Sequence, residues 1–107
     1  MTGKRMGRPT YSKIRQNIVE ILNHIKKGYG YQIYKIYKEI FPDVSMRSIY
    51  YHLNKGVQLE IFQINQVENE KGDYSWGDSA KKIYYSLGEK ASPKGDTKVK
   101  EYIENMN

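Results

Sequence analysis

Phe41-Pro42-Asp43-Val44-Ser45 is the stretch that most restricts this chain. Proline has no N–H to donate and its ring crowds the preceding turn, so the helical pattern that runs up to Phe41 must stop there. A new helix must begin almost at once. Ser45 is a good N-cap, because its hydroxyl can accept from an orphan N–H one turn on, and Val44 before it can pack on Ile49 as a hydrophobic staple. Two helices joined by a turn of three or four residues make a helix-turn-helix arrangement.

The apolar spacing on either side of this turn agrees. From Tyr31 to Phe41, Ile33, Ile36, Tyr37 and Ile40 form one stripe, widened by Tyr34 and Phe41. From Ser45 to Gln58, Met46, Ile49, Tyr50, Leu53 and Val57 fall in one narrow arc at 100° per residue, which predicts a half-buried helix. Earlier, residues 12–27 place Ile14, Ile18, Ile21, Leu22 and Ile25 on a stripe with Val19 beside it, and Lys26 and Lys27 suit the negative end of the helix dipole. Gly28 is read as the residue that ends this first helix. Gly28-Tyr29-Gly30 is then a tight connection, without the Lys-Ser/Thr of a phosphate-binding loop. His24 falls at the edge of the first stripe and reads as a core-edge side chain. Gly56, unfavourable by about 1 kcal/mol in a helix interior, either ends the third helix early or permits close packing.

Beyond Leu59 the period changes from 3.6 to 2. Phe62, Ile64 and Val67 predict one strand, and Ile83, Tyr85 and Leu87, alternating with Lys82, Tyr84 and Ser86, predict another. Residues 68–80 between them are polar and contain Lys71-Gly72-Asp73 as a turn signal, so a β-hairpin with a long tip is expected. Residues 89–95 read as a linker. From about Asp96 a short helix carries Val99, Tyr102, Ile103 and Met106 at i, i+3, i+4 and i+7, and that face must dock on its own domain or on a second copy. The expected fold is therefore α+β, three helices, a hairpin wing and a C-terminal helix, on the winged helix-turn-helix plan. Residues 1–11 form a flexible basic arm, 12–88 the domain, and 96–107 the terminal helix, assigned to dimerisation through Val99, Tyr102, Ile103 and Met106.

Charge narrows the function. In a chain of 107 residues with net charge +6, residues 1–60 hold 11 Lys/Arg against 4 Asp/Glu, and residues 61–107 hold 7 against 8. The basic half contains the third helix. Opposite its apolar arc lie Ser48, Tyr51 and Lys55, flanked by Arg47, His52 and Gln58, with no acid among them. Such a face is either a plain solvated one or a surface for a DNA major groove, where base edges offer acceptors and phosphates offer negative charge. The basic balance favours the second. Lys13 and Arg15, at the start of the first helix, are placed on phosphates. Gly7-Arg8-Pro9, with Arg5 nearby, matches the core of segments that lay an arginine in a narrow minor groove, although Met6 stands where a second Arg is expected, and the plainer reading is a generic basic tail. The tip, with Glu68, Glu70, Asp73 and Asp78, is poor for lying on phosphates, leaving Lys71, or Lys81 and Lys82, to approach. Trp76 is read as folded back on the hairpin or the helix base, in preference to an exposed contact.

Other classes are disfavoured. With no cysteine and two histidines on different helices, no thiolate, metal or triad chemistry is composed, so neither catalysis nor a cofactor is expected. No apolar run spans a bilayer and no signal-peptide core opens the chain, so a cytoplasmic location is expected. The competing reading is a winged-helix module that binds another protein, or RNA.

Gly30-Tyr31-Gln32-Ile33, Ser48-Ile49-Tyr50-Tyr51-His52-Leu53 and Tyr84-Tyr85-Ser86-Leu87 together resemble the PadR-like winged-helix transcriptional regulators, over roughly residues 14–88. Similar small winged-helix proteins occur widely in archaea and their viruses. The chain differs in having Leu59-Glu60 after the third helix where the family has Gly and an apolar pair, and in its short C-terminal region. The resemblance implies a homodimer that binds double-stranded DNA and regulates transcription.

Overall fold

The computed structural model describes residues 12–41, 43–74 and 77–106, and over 66–74 and 77–81 it describes the backbone. The chain is α+β. Four helices, α1 (Lys13–Ile25), α2 (Gly30–Ile40), α3 (Met46–Gln58) and α4 (Thr97–Glu104), accompany a three-stranded antiparallel sheet; α1, α2 and α3 contact its strands and α4 packs on α1 and α2. Its strands are β1 (Lys27–Tyr29), β2 (Phe62–Tyr74) and β3 (Gly77–Leu87), in the order β1-β3-β2.

Serine caps begin α1 and α3: Ser12 Oγ accepts from Arg15 N at 3.2 Å, and Ser45 Oγ accepts from Ser48 N at 3.0 Å. The stripes predicted from spacing meet in one core of Ile18, Ile21 and Leu22 from α1, Ile33, Ile36 and Tyr37 from α2, and Ile49 and Leu53 from α3. Phe62 and Tyr85 close it from the sheet, and Val44 packs at its margin. One polar bond crosses this interior, Asn17 Nδ2 donating to the Tyr37 hydroxyl at 3.0 Å.

Three elements differ from expectation. Helix α1 ends two residues earlier, with Lys26 at φ 76° as its cap, donating its N–H to Leu22 O. Gly28 is not a helix terminator but the middle of β1, opposite Tyr85. Its lack of a side chain serves close approach, since a Cβ there would lie 2.9 Å from Ile25 Cδ1. The sequence offered no strand signal in three residues.

The hairpin is longer and its connection shorter than the composition implies. The strands stay paired from Phe62↔Leu87 out to Tyr74↔Gly77. Lys71-Gly72-Asp73 is not the turn: Lys71 pairs with Ser79 and Tyr74 with Gly77, so two residues oppose one in a bulge. A second irregularity leaves Asn65 extra between Ile64↔Tyr85 and Gln66↔Tyr84. Beyond the core an antiparallel ribbon needs only its ladder of backbone bonds, so apolar alternation fades while pairing continues.

The terminal helix docks on its own domain. Val99, assigned to dimerisation, is fully buried, and Tyr102 and Ile103 pack partly buried against the same core. Of the four residues so assigned, Met106 alone is exposed. A buried carboxylate that spacing did not single out fixes this docking. Glu20 on α1 is 3% exposed and accepts from three successive backbone N–H groups, Lys94 at 2.7 Å, Gly95 at 2.9 Å and Asp96 at 3.1 Å. Gln16 Nε2 steadies it at 2.9 Å and also reaches Ser92 O at 3.0 Å.

Between α3 and β2 the chain reverses through Glu60, at φ 65°. A β-carbon is strained there, and the Glu60 side chain gains only a loose, exposed contact with Lys90 at 4.0 Å. Glu60→Gly is accordingly expected to raise stability by about 0.5–1 kcal/mol in urea titration. A loss of stability would mean that the side chain matters more than the backbone.

Candidate nucleic-acid interface

Helix α3 turns Ile49 and Leu53 fully into the core and thereby directs its opposite side to solvent. Arg47 and Gln58 are exposed, Tyr51 is 59% exposed, and Ser48, His52 and Lys55 are half-buried. The six residues predicted for this face therefore share it. At i, i+4 and i+8, Arg47, Tyr51 and Lys55 line one ridge of about two turns. Tyr51 meets the His52 ring edge-on, with centroids 5.0 Å apart.

Tyr50, read as core, is instead 39% exposed and spans the joint between α2 and α3. Its ring lies over Gly30, where a Cβ would fall 2.3 Å from Tyr50 Cε1. Glycine at the first residue of α2 is what lets the two helices approach at this point.

The start of α1 comes up beside the same face, but its two cations fare differently. Lys13 is exposed. Arg15 is 5% exposed, and its Nη1 lies 3.1 Å from Nδ1 of His52. The assignment of Arg15 to a phosphate is corrected accordingly. It precedes Ile18 and Leu22 by three and seven residues, so winding carries it inward beside the core stripe. Arg5 and Arg8 lie outside the described residues, as do the side chains of Lys71 and Lys81, and Trp76.

Burial and then the Arg15 charge both hold the His52 imidazole below its ordinary pKa. The ring is therefore mostly neutral at pH 7, and the face draws its charge from Arg47, Lys55 and Lys13. Because an imidazole depressed in the folded state takes up its proton more readily when unfolded, its contribution to stability is complete above the ordinary histidine value. It is lost as pH falls through the lower folded value.

Two further clusters were not legible as sites. A cleft between α3 and the β1–β3 edge is lined by Tyr29, Gly30, Tyr50, Asn54, Lys82 and Ile83, among others. Above it, Tyr29 and Tyr84 pack edge-to-face at 5.4 Å, with Lys82 Nζ 4.6 Å from the Tyr29 ring and Lys27 Nζ 5.3 Å from that of Tyr84. The register that pairs Tyr29 with Tyr84 makes this cluster, and it depends on β1. A signal was present in Lys82 and Tyr84, two residues apart on one face of the predicted strand, but without β1 it had no partner. Tyr29 also borders a second, open cleft between α2 and α4, lined by Tyr31, Lys35, Tyr102 and Met106.

No protein-family model matches the chain, and no curated protein matches it significantly. Among the described residues, no helix is long and apolar enough to cross a membrane.

Proposed function

We propose that this protein is a winged-helix regulator of transcription that binds double-stranded DNA, with α3 in the major groove and the β2–β3 hairpin as its wing. The observation that carries the reading is the outer face of α3, acid-free and held outward by Ile49 and Leu53 beneath it. Order and polarity support it: three packed helices followed by a long antiparallel ribbon, the cations concentrated in the helical half. Arg47, Ser48, Tyr51, Lys55 and Gln58 read or position the duplex, and Lys13 meets the backbone. Ser12, the first described residue after the segment that carries Arg5 and Arg8, lies three residues before the Arg15 that touches His52, and we assign those two arginines to the same duplex. The resemblance to PadR-like regulators belongs to the same proposal. So does the homodimer; with Val99 buried, we assign its contact to the cleft where Tyr31 and Met106 are 47% and 46% exposed.

The test is a fluorescence-anisotropy titration of a random duplex across a salt series, with sedimentation of the same samples. Binding at micromolar concentration or tighter that falls steeply with salt is expected, from a species of two chains. Replacing Arg47 and Lys55 together by alanine should weaken it about tenfold or more and flatten the salt slope by about one unit per lost phosphate contact. Failure of the folded protein to bind at low salt would sink the DNA reading. The acidic composition of the hairpin, with Glu68, Glu70, Asp73 and Asp78, would then point to a protein partner.

A further inference from the structure

The Arg15–His52 contact has a chemical consequence that the burial of either residue does not. A guanidinium can only donate, and it stays protonated throughout the accessible pH range. At 3.1 Å from Arg15 Nη1, His52 Nδ1 must therefore offer its lone pair. A neutral imidazole with a lone pair on Nδ1 carries its proton on Nε2. That second nitrogen lies across the ring, away from α1, and has no protein partner among the described residues.

We propose that Arg15 is a positioning residue that locks His52 as its Nε2–H tautomer, so that α3 presents at this point a hydrogen-bond donor and no acceptor. The inference rests on the DNA reading above and sharpens it. A donor at this place pairs with N7 of guanine or adenine, with guanine O6 or with thymine O4, and is rejected by the amino group that cytosine offers in the major groove. The other tautomer would have the opposite preference. The side chain that sets this discrimination is thus on a different helix from the one that enters the groove, and is itself too deeply buried to touch DNA. Lowered basicity of the ring agrees with the arrangement, since a proton on Nδ1 would face the Arg15 cation; on its own helix His52 has Ser48, Tyr51 and Lys55 as neighbours and no acid.

The chain has only two histidines, so ring ¹⁵N spectra of the labelled full-length protein at pH 7 contain two rings, and His52→Asn identifies which is which. In the wild type, His52 is expected to show a bare Nδ1 and a protonated Nε2. A protonated Nδ1 overturns the proposal without any variant having to fold. Arg15→Met, close in length, should release the ring into a mixture of tautomers, and Arg15→Lys, which keeps a cationic donor, should restore the wild-type pattern. A wild-type tautomer in Arg15→Met would remove Arg15 as the cause. On an operator selected from a random pool, exchanging the contacted purine or thymine for cytosine should weaken wild-type binding roughly fivefold, about the worth of one hydrogen bond, and Arg15→Met should lose most of that preference. A loss equal at all sequences would place His52 on phosphate and overturn the base-reading role. Absence of all DNA binding would overturn that role together with the DNA reading, and the ring spectra distinguish this from a wrong tautomer.

Discussion

Glu20→Gln is expected to lower the stability of the domain by about 2–4 kcal/mol, with the loss concentrated in α4. The substitution barely alters volume but exchanges one carboxylate oxygen for an amide NH₂. In the native site one oxygen accepts from Lys94 N and Gln16 Nε2, and the other from Gly95 N and Asp96 N. Whichever way the amide is turned, its NH₂ faces donors. A buried donor left without an acceptor costs about 1–3 kcal/mol, and at least one backbone N–H is left so. The side chain is 3% exposed, so water cannot substitute without opening the site. The total is limited by the alternative of releasing α4, whose anchoring in the core is chiefly Val99, Tyr102 and Ile103. Thermal unfolding should fall by roughly 10 °C or more for a domain of this size. Amide exchange should quicken across Thr97–Glu104 before it does in α3. Unchanged protection in α4 would refute the claim that this carboxylate holds it.

The same residue gives a signed pH dependence. Burial alone would raise the Glu20 carboxyl, but bonds from the Lys94, Asp96 and Gly95 N–H groups and from Gln16 outweigh it and hold the group below its ordinary value near 4.5. The stabilisation is complete above that ordinary value and is lost as pH falls through the lower folded one. Wild-type α4 should undock over that acidic interval. In Glu20→Gln the group no longer titrates, so this part of the acid transition should vanish from an already weakened protein.

What could be read from residues alone follows a physical boundary. The three main helices were legible because each must hide an apolar stripe, and hiding it leaves a period in the sequence; Ile18, Ile33 and Leu53 obey that period. The outer face of α3 was legible by subtraction from the same stripe. Strand β1 was not, because three residues are too few for a period and its pairing with Tyr84–Ser86 is made across 54 residues of intervening chain. The Arg15–His52 contact was missed for a related reason: its charge and its place at the start of α1 put Arg15 on phosphate, whereas the side chain it meets depends on how α1 crosses α3. Glu20 carries no signal of its own either. Its partners are backbone N–H groups of a segment read as linker, and a carboxylate on a helix otherwise looks like any solvated one.

Gly56→Ala tests the joint between the proposed reading helix and the hairpin, and it should destabilise despite improving helix propensity. Alanine would contribute up to about 1 kcal/mol in a helix interior. Against this, a Cβ at Gly56 would lie 2.2 Å from Cδ2 and 2.5 Å from Cε2 of Phe62. The ring cannot swing out of the way, because Phe62 is 1% exposed and is among the largest fully buried side chains. Nor can the backbone yield freely, since Ile61 N donates to Gly56 O at 2.8 Å and Glu60 N to Val57 O at 3.1 Å, tying the strand entrance to the last turn of α3. Overpacking of this kind costs about 1–3 kcal/mol and more where nothing can relax, so the net loss should be about 1–3 kcal/mol. Phe62→Leu supplies the control. Alone it loses packing, but in combination with Gly56→Ala it removes the clash, so the pair should be less damaging than the two losses added, by about 1–2 kcal/mol. A neutral or stabilising Gly56→Ala would mean that the ring is free to move. The hairpin's position relative to Lys55 and Gln58 would then be set elsewhere, and the short contact between α3 and β2 would not be what orients the wing.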